Sequence, residues 1–167
     1  HELVLKGGTA LAVHRLKGHR ESEDLDFDAP VGLRDSIAII SAHLVSNFEA
    51  MVDDGTLIGF NLRKEGFAST DRYHMKLTLR THREHLTKVD IDFIEAPREF
   101  ESEGQLRFYT AGRMFVLKLL TFSSRGSMKD LYDISHLLRI LRTGEFREPE
   151  KVAGLVSTVA DGIEEEK

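Results

Sequence analysis

The sequence predicts an α/β chain of the α+β kind, a mixed β-sheet flanked by helices with a helical C-terminal part. Three observations lead there. Strand-like and helix-like apolar periods alternate through the first half of the chain. Past Pro97 the apolar spacing turns helical. The chain has 167 residues, 41% of them apolar, which suits a single domain with a sizeable core.

Taken in order, Leu3-Val4-Leu5 reads as a short buried strand, broken by Gly7-Gly8, and Thr9 to Leu16 reads as a helix. Leu25 and Phe27 alternate with Asp24, Asp26 and Asp28, the period of a strand. From Leu33 to Val52 the residues Ile37, Ile40, Leu44, Phe48 and Met51 fall at helical spacing. Asp53-Asp54-Gly55 ends that helix. Three strands are predicted next, at Leu57 to Arg63, Tyr73 to Thr81 and Thr87 to Ile94. Helices are predicted at Thr110 to Phe122, Met128 to Leu141 and Pro149 to Ile163. The three prolines, Pro30, Pro97 and Pro149, mark element boundaries. The expected organisation is one domain over 1–167, with an α/β core to about residue 97 and a helical part from about 98. The chain opens at His1, directly before a strand, which suggests residues upstream.

Composition narrows the function classes. Lys plus Arg number 23 and Asp plus Glu 28, a net charge of -5, which argues against a generally basic nucleic-acid coat protein. The charge is uneven. Between Arg63 and Lys88 stand seven basic residues and three acidic ones, a local basic surface able to hold phosphates, or equally a solvated strand face. The absence of cysteine excludes disulfides, thiolate catalysis and cysteine zinc sites, and fits a cytoplasmic protein. No apolar run approaches the length of a membrane span. His82 and His85 read as part of a polar loop.

Two stretches carry chemistry. In Leu5-Lys6-Gly7-Gly8-Thr9, two glycines between strand and helix let a ligand approach the backbone closely, and their N–H groups can seat phosphate oxygens. Thr9 adds a hydroxyl. In Asp24-Leu25-Asp26, strand period places two carboxylates on one face. Like charges held that close repel unless a cation lies between them. Mg²⁺ (or Mn²⁺) suits carboxylate plus phosphate oxygens.

The string Leu5-Lys6-Gly7-Gly8-Thr9-Ala10-Leu11, followed by Arg20-Glu21-Ser22-Glu23-Asp24-Leu25-Asp26-Phe27, resembles the AbiEii/AbiGii toxin family. That family belongs to the DNA polymerase β-like nucleotidyltransferase superfamily. The resemblance spans about Leu3 to Leu141. It implies a nucleotidyltransferase-like sheet and a bacterial enzyme that moves a nucleoside monophosphate from an NTP to an acceptor. RNA such as tRNA, a protein or a small molecule could be that acceptor, and a cognate antitoxin is implied as partner. A descendant that only binds nucleotide or a partner is the alternative. Arg20 and Ser22, inside the string, would touch the nucleotide or brace the loop.

The superfamily adds a third carboxylate from a later strand. Lys88-Val89-Asp90-Ile91-Asp92-Phe93 alternates apolar and acidic residues, and Asp90 matches that position best, with Asp92 as the fallback. Metal ligands are thus expected at Asp24, Asp26 and Asp90. Lys118 interrupts the apolar run Met114 to Leu120, and Asp130 opens the string Asp130-Leu131-Tyr132-Asp133. The resemblance implies that Lys118 contacts the triphosphate and Asp130 helps hold the site together. Ser127 and Asp130 also form a helix-capping pattern, and Asp133 stands one turn from Lys129, close enough to pair with it.

Overall fold

The computed structural model describes residues 2–15, 20, 22–82, 84–104 and 106–142. Seven strands form one mixed sheet in the order β3-β4-β5-β2-β1-β7-β6. They are β1 (Val4–Lys6), β2 (Leu25–Pro30), β3 (Gly59–Ser69), β4 (Arg72–Arg80), β5 (Glu84–Ile94), β6 (Phe100–Glu103) and β7 (Leu106–Tyr109). The helices are α1 (Gly7–Ala10), α2 (Ile37–Asp53), α3 (Ala111–Arg125) and α4 (Met128–Arg142). Among the described residues no helix is long and apolar enough to cross a membrane.

Two corrections bear on the site. The first helix begins at Gly7 rather than Thr9, so the glycines are its opening turn, and it continues as a π-helical turn over Leu11–Arg15. The chain does not turn helical directly after Pro97. It first makes the β6–β7 hairpin, and β7 pairs in parallel with β1 at Leu5↔Phe108. Neither strand has the length or clean alternation that marks β3 to β5. The helix expected at Pro149 to Ile163 lies outside the described residues.

The alternation in β5 becomes two chemically distinct sheet faces. Val89, Ile91 and Phe93 point to one side with Tyr73, Met75 and Leu77 of β4, all nearly fully buried. Leu33, Ile37, Ile40, Leu44 and Phe48, from α2 and the 3-10 turn before it, pack on them. Burying such side chains is worth about 1.5–3 kcal/mol each. That apolar layer fixes the register, because a one-residue slip would turn every carboxylate of β5 into the core. The opposite face holds Asp90, Asp92, His74, Arg72 and Lys76, and α3 and α4 stand over its β1–β2 side. A second core of Val4, Leu5, Leu11, Phe108, Tyr109, Met114, Phe115, Ile134 and Leu137 joins them to β1 and β7.

Candidate active site

The wet face of the sheet converges on a cleft of about 550 Å³ between β1, β2, β5 and the α3–α4 pair. That is within the ordinary range for small-molecule sites. Its lining takes in Lys6, Gly7, Gly8, Arg20, Ser22, Asp24, Asp26, Asp90 and Lys118, all named from sequence. Thr9 and Asp130 do not line it. Thr9 Oγ1 donates to the Asp24 carbonyl at 2.5 Å, tying the helix to the loop that delivers the aspartate. Asp130 lies behind Lys118, with none of its surface exposed.

Parallel pairing of β2 with β5 brings the carboxylates together. Asp26 lies opposite Asp90, and Asp28 opposite Asp92. Asp24 precedes the strand, which starts at Leu25. Gly7 sits at φ 75° against Asp26: a Cβ there would meet the Asp26 Oδ2 at 2.4 Å. Only glycine allows both that backbone and that approach.

The acids on the sheet divide into two groups. Asp28 and Asp92 are saturated: Lys6 Nζ donates to Asp28 Oδ1 at 2.5 Å and to Asp92 Oδ2 at 2.6 Å. Arg72 donates twice more to Asp92, and the Tyr109 hydroxyl to Asp28 at 2.5 Å. Burial resists the charge on Asp92, but Arg72 and Lys6 outweigh it and hold the carboxyl below its usual range. Asp24 and Asp26 have no ion-pair partner among the described residues. Burial pushes Asp26 up; Lys6 opposes, and Asp90, Asp24 and Asp92 add repulsion. Asp90 is intermediate, with one oxygen against His74 Nδ1, whose Nε2 lies 3.3 Å from Glu65.

Among the described residues no three acidic or histidine side chains are already clustered to hold a metal ion. What the sheet offers is two carboxylates without an ion pair among the described residues, with Asp90 opposite Asp26. That donor set suits a hard divalent cation completing its shell with phosphate and water oxygens. Asp92, spent on Lys6 and Arg72, does not suit it.

The helical wall is built differently. Lys118 Nζ lies 2.9 Å from Asp130 Oδ1 and 2.7 Å from Asp133 Oδ2. Arg125 holds Asp130 with two hydrogen bonds of 2.7 and 2.9 Å. Arg20 forks onto Asp133 with two more, at 2.8 and 2.7 Å, so it braces the loop before β2 against α4. Asp130 therefore spends its carboxylate on Lys118 and Arg125 rather than on a capping exchange with Ser127. Asp133, expected to pair with Lys129, is fully buried against Arg20 and Lys118 instead. Lys129 is left lining the cleft with no ion-pair partner among the described residues.

Sequence reasoning missed Arg72, Arg125 and Lys129 as cleft residues, and His74 as the partner of Asp90. Arg72 and His74 reach the site through strand pairing at Arg72↔Asp92 and His74↔Asp90, a register no local pattern reveals. Asp28 did carry a signal: it continues the i, i+2 series from Asp24 and Asp26.

Comparison with known proteins supplies the family. The model of the family described as nucleotidyl transferase AbiEii toxin, type IV TA system, matches residues 1–161. The chain belongs to the AbiEii family. No curated protein matches it. Among solved structures, this AbiEii-family chain resembles JHP933 from Helicobacter pylori at 23% identity and a TM-score of 0.58, over 86% of this chain and 59% of that one. It also resembles MenT4, a nucleotidyltransferase toxin from Mycobacterium tuberculosis, at 23% identity and a TM-score of 0.53, over 81% and 49%. These likenesses show the shared nucleotidyltransferase-like fold. The chain spans about three fifths and one half of those two proteins.

Proposed function

We propose that the cleft binds an NTP with Mg²⁺ (or Mn²⁺) and transfers its nucleoside monophosphate to a hydroxyl of an RNA acceptor. The observation that carries this reading is the desolvated Asp26 carboxylate. It lies opposite Asp90 and against Gly7, and Lys6, across from it on β1, spends its ammonium on Asp28 and Asp92. A buried, repelled carboxylate without a partner costs stability unless a ligand supplies positive charge. Asp24, Asp26 and Asp90 would hold the metal, which when bound would neutralise phosphate charge and orient the attacking and leaving oxygens.

The chain's own residues do the rest. The opening turn of α1 at Gly7-Gly8 seats phosphate oxygens on backbone N–H groups. Lys129, exposed at the cleft rim, supplies an uncommitted positive charge, and Lys118 a second, shared with Asp130 and Asp133. Asp90 accepts the proton of the acceptor hydroxyl. A new bond forms from that oxygen to the α-phosphorus, the bond to the bridging oxygen breaks, and pyrophosphate leaves. Positioning and charge neutralisation supply most of the rate.

RNA is favoured by a row of basic residues on the same sheet face. Arg63, Lys76 and Lys88 lie opposite one another across β3, β4 and β5, two residues along from His74 and Asp90. Glu65 offsets part of this charge, at 2.9 Å from Lys76, while Lys88 is exposed and has no ion-pair partner among the described residues. Such a row fits a polyanion backbone. As a family member, the chain is read as the toxin of a toxin–antitoxin pair, opposed by its antitoxin.

Incubation with each labelled NTP, Mg²⁺ and total tRNA tests the reading. Label should pass to RNA with the wild type and not with Asp24→Ala or Asp26→Ala, both remaining folded. A wild type that binds NTP but labels no RNA, protein or small acceptor would instead be a nucleotide-binding protein.

A further inference from the structure

Beyond the bridge formed by Lys6, Asp92 and Arg72 lies a second cleft of about 620 Å³. It shares those three residues and Leu117 with the first cleft, so the two are contiguous. Its other walls are Asp28, Ser69, Asp71, Phe93, Ile94 and Arg113. None of the glycine turn, and nothing from α4, reaches it.

Most of its charges are already matched. Asp28 and Asp92 are held by Lys6, and Arg72 by Asp92. Arg113 is different. Its guanidinium carbon lies 6.0 Å from the centre of the Tyr109 ring, and no carboxylate pairs with it among the described residues. Its Nε is buried and has no hydrogen-bond partner. A buried guanidinium N–H without an acceptor is costly and rare in a folded protein. The rigid guanidinium fork is suited to a planar pair of phosphate oxygens.

We infer that this second cleft is the acceptor subsite, and that Arg113 binds the phosphodiester next to the attacking hydroxyl at an RNA end. The inference rests on the transferase reading above. In-line displacement puts the entering and leaving oxygens on opposite sides of the phosphorus. Gly8, Arg125 and Lys129 line only the first cleft and mark the pyrophosphate side. The second cleft reaches Asp28, Asp92 and Ile94, farther along β2 and β5 than Asp26 and Asp90. Ile94 and Leu117 give it an apolar wall for a sugar or base.

The test follows the Arg113 Nε–H and the Gly7 and Gly8 amides by NMR, in the folded wild-type chain with Mg²⁺. The probes are a non-hydrolysable NTP analogue, a single-stranded RNA tetranucleotide with a free 3′-hydroxyl, and inorganic phosphate. The tetranucleotide should shift Arg113, and the NTP analogue should shift Gly7 and Gly8 but leave Arg113 in place. Arg113→Gln should raise the KM for RNA about 10- to 100-fold, the worth of a charged hydrogen bond, with the KM for NTP unchanged. Arg113→Lys should fall between. An NTP analogue that shifts Arg113 while RNA does not would assign the cleft to the nucleotide and overturn the inference. So would phosphate that binds there as tightly as RNA, since the cleft would then be a general anion site. If the analogue shifts Gly7 and Gly8 and RNA shifts nothing, the inference fails alone. If the analogue shifts nothing at the glycine turn, the transferase reading fails.

Discussion

The molecule carries two aspartate clusters, one on the sheet and one on α4, and they handle charge in opposite ways. On α4, Asp130 and Asp133 have no exposed surface, and Lys118, Arg125 and Arg20 surround them at 2.7–2.9 Å. On the sheet, Asp24 and Asp26 line an open cleft and make no ion pair among the described residues, since Lys6, across from Asp26, is spent on Asp28 and Asp92. The same residue type thus does two jobs. Where the fold supplies its own counter-charge, the acid is a latch; where it withholds it, the acid is left for the metal proposed above.

Breaking the latch should give the largest effect on stability. Lys118→Ala leaves two buried carboxylates short of a partner, at a cost of about 3–5 kcal/mol, read as a lower urea midpoint at unchanged slope. Burial works against the Asp130 charge, yet Arg125 and Lys118 outweigh it and hold its pKa low. A lowered carboxyl contributes stability that is complete above the unfolded-state value of about 3.9 and is lost as pH falls through the folded value. Acid titration of stability should therefore show this loss in wild type and much less of it in Asp130→Asn. A Lys118→Ala variant as stable as wild type would remove the latch from the comparison.

Gly7→Ala should come next. The left-handed backbone at φ 75° costs a side-chain-bearing residue about 1–2 kcal/mol. Its Cβ would also press on Asp26, so metal-dependent transfer should fall with stability. In Gly8→Ala the new Cβ meets the ends of the Ser22 and Arg20 side chains, at 2.7 and 2.8 Å, and the loss of stability should be smaller.

Removing a sheet carboxylate should have the opposite sign. Asp26→Asn relieves a buried charge and its repulsion from Asp90 and Asp24, so without divalent metal the variant should be more stable than wild type. Transfer should still fall by roughly 10²–10³-fold or more. The pH signature also reverses. Because the folded pKa of Asp26 is raised, its contribution falls as pH climbs from the ordinary carboxylate range through that value. Adding Mg²⁺ should restore stability to the wild type and not to Asp26→Asn, measured as a shift in Tm. Equal metal responses would put the cation elsewhere.

How much of this contrast was legible in the sequence depends on the range of the interactions. The alternations at Asp26 and Asp90 are local, and local period places both in strands; it also put Asp24 in the strand, which begins only at Leu25, and read Gly7-Gly8 as a break where they open α1. The mixed sheet followed from the same patterns. The β6–β7 hairpin was missed because four-residue strands such as Phe100–Glu103 are too short for a period to emerge. The latch was misread for a different reason. Arg20 and Asp133 are 113 residues apart, so only the packing of α4 against the loop before β2 makes them partners. Helical spacing offered Lys129 to Asp133, and the buried pairing took precedence over the exposed one.

That displaced Lys129 gives the smallest but sharpest test of the contrast. It stands next to Asp130 in sequence and belongs to the opposite class, a charge without a partner among the described residues, lining the cleft. Lys129→Ala should leave stability within about 0.5 kcal/mol of wild type, as an exposed substitution does. Its effect should fall on ligand binding: a weaker NTP affinity and a shallower dependence of that affinity on salt, because one phosphate contact is lost. Arg125→Ala, at the end of α3 and committed to Asp130, should cost more stability than Lys129→Ala. If the two variants behave alike in urea and in NTP titration, the α4 cluster does not separate a latch from a ligand-binding charge.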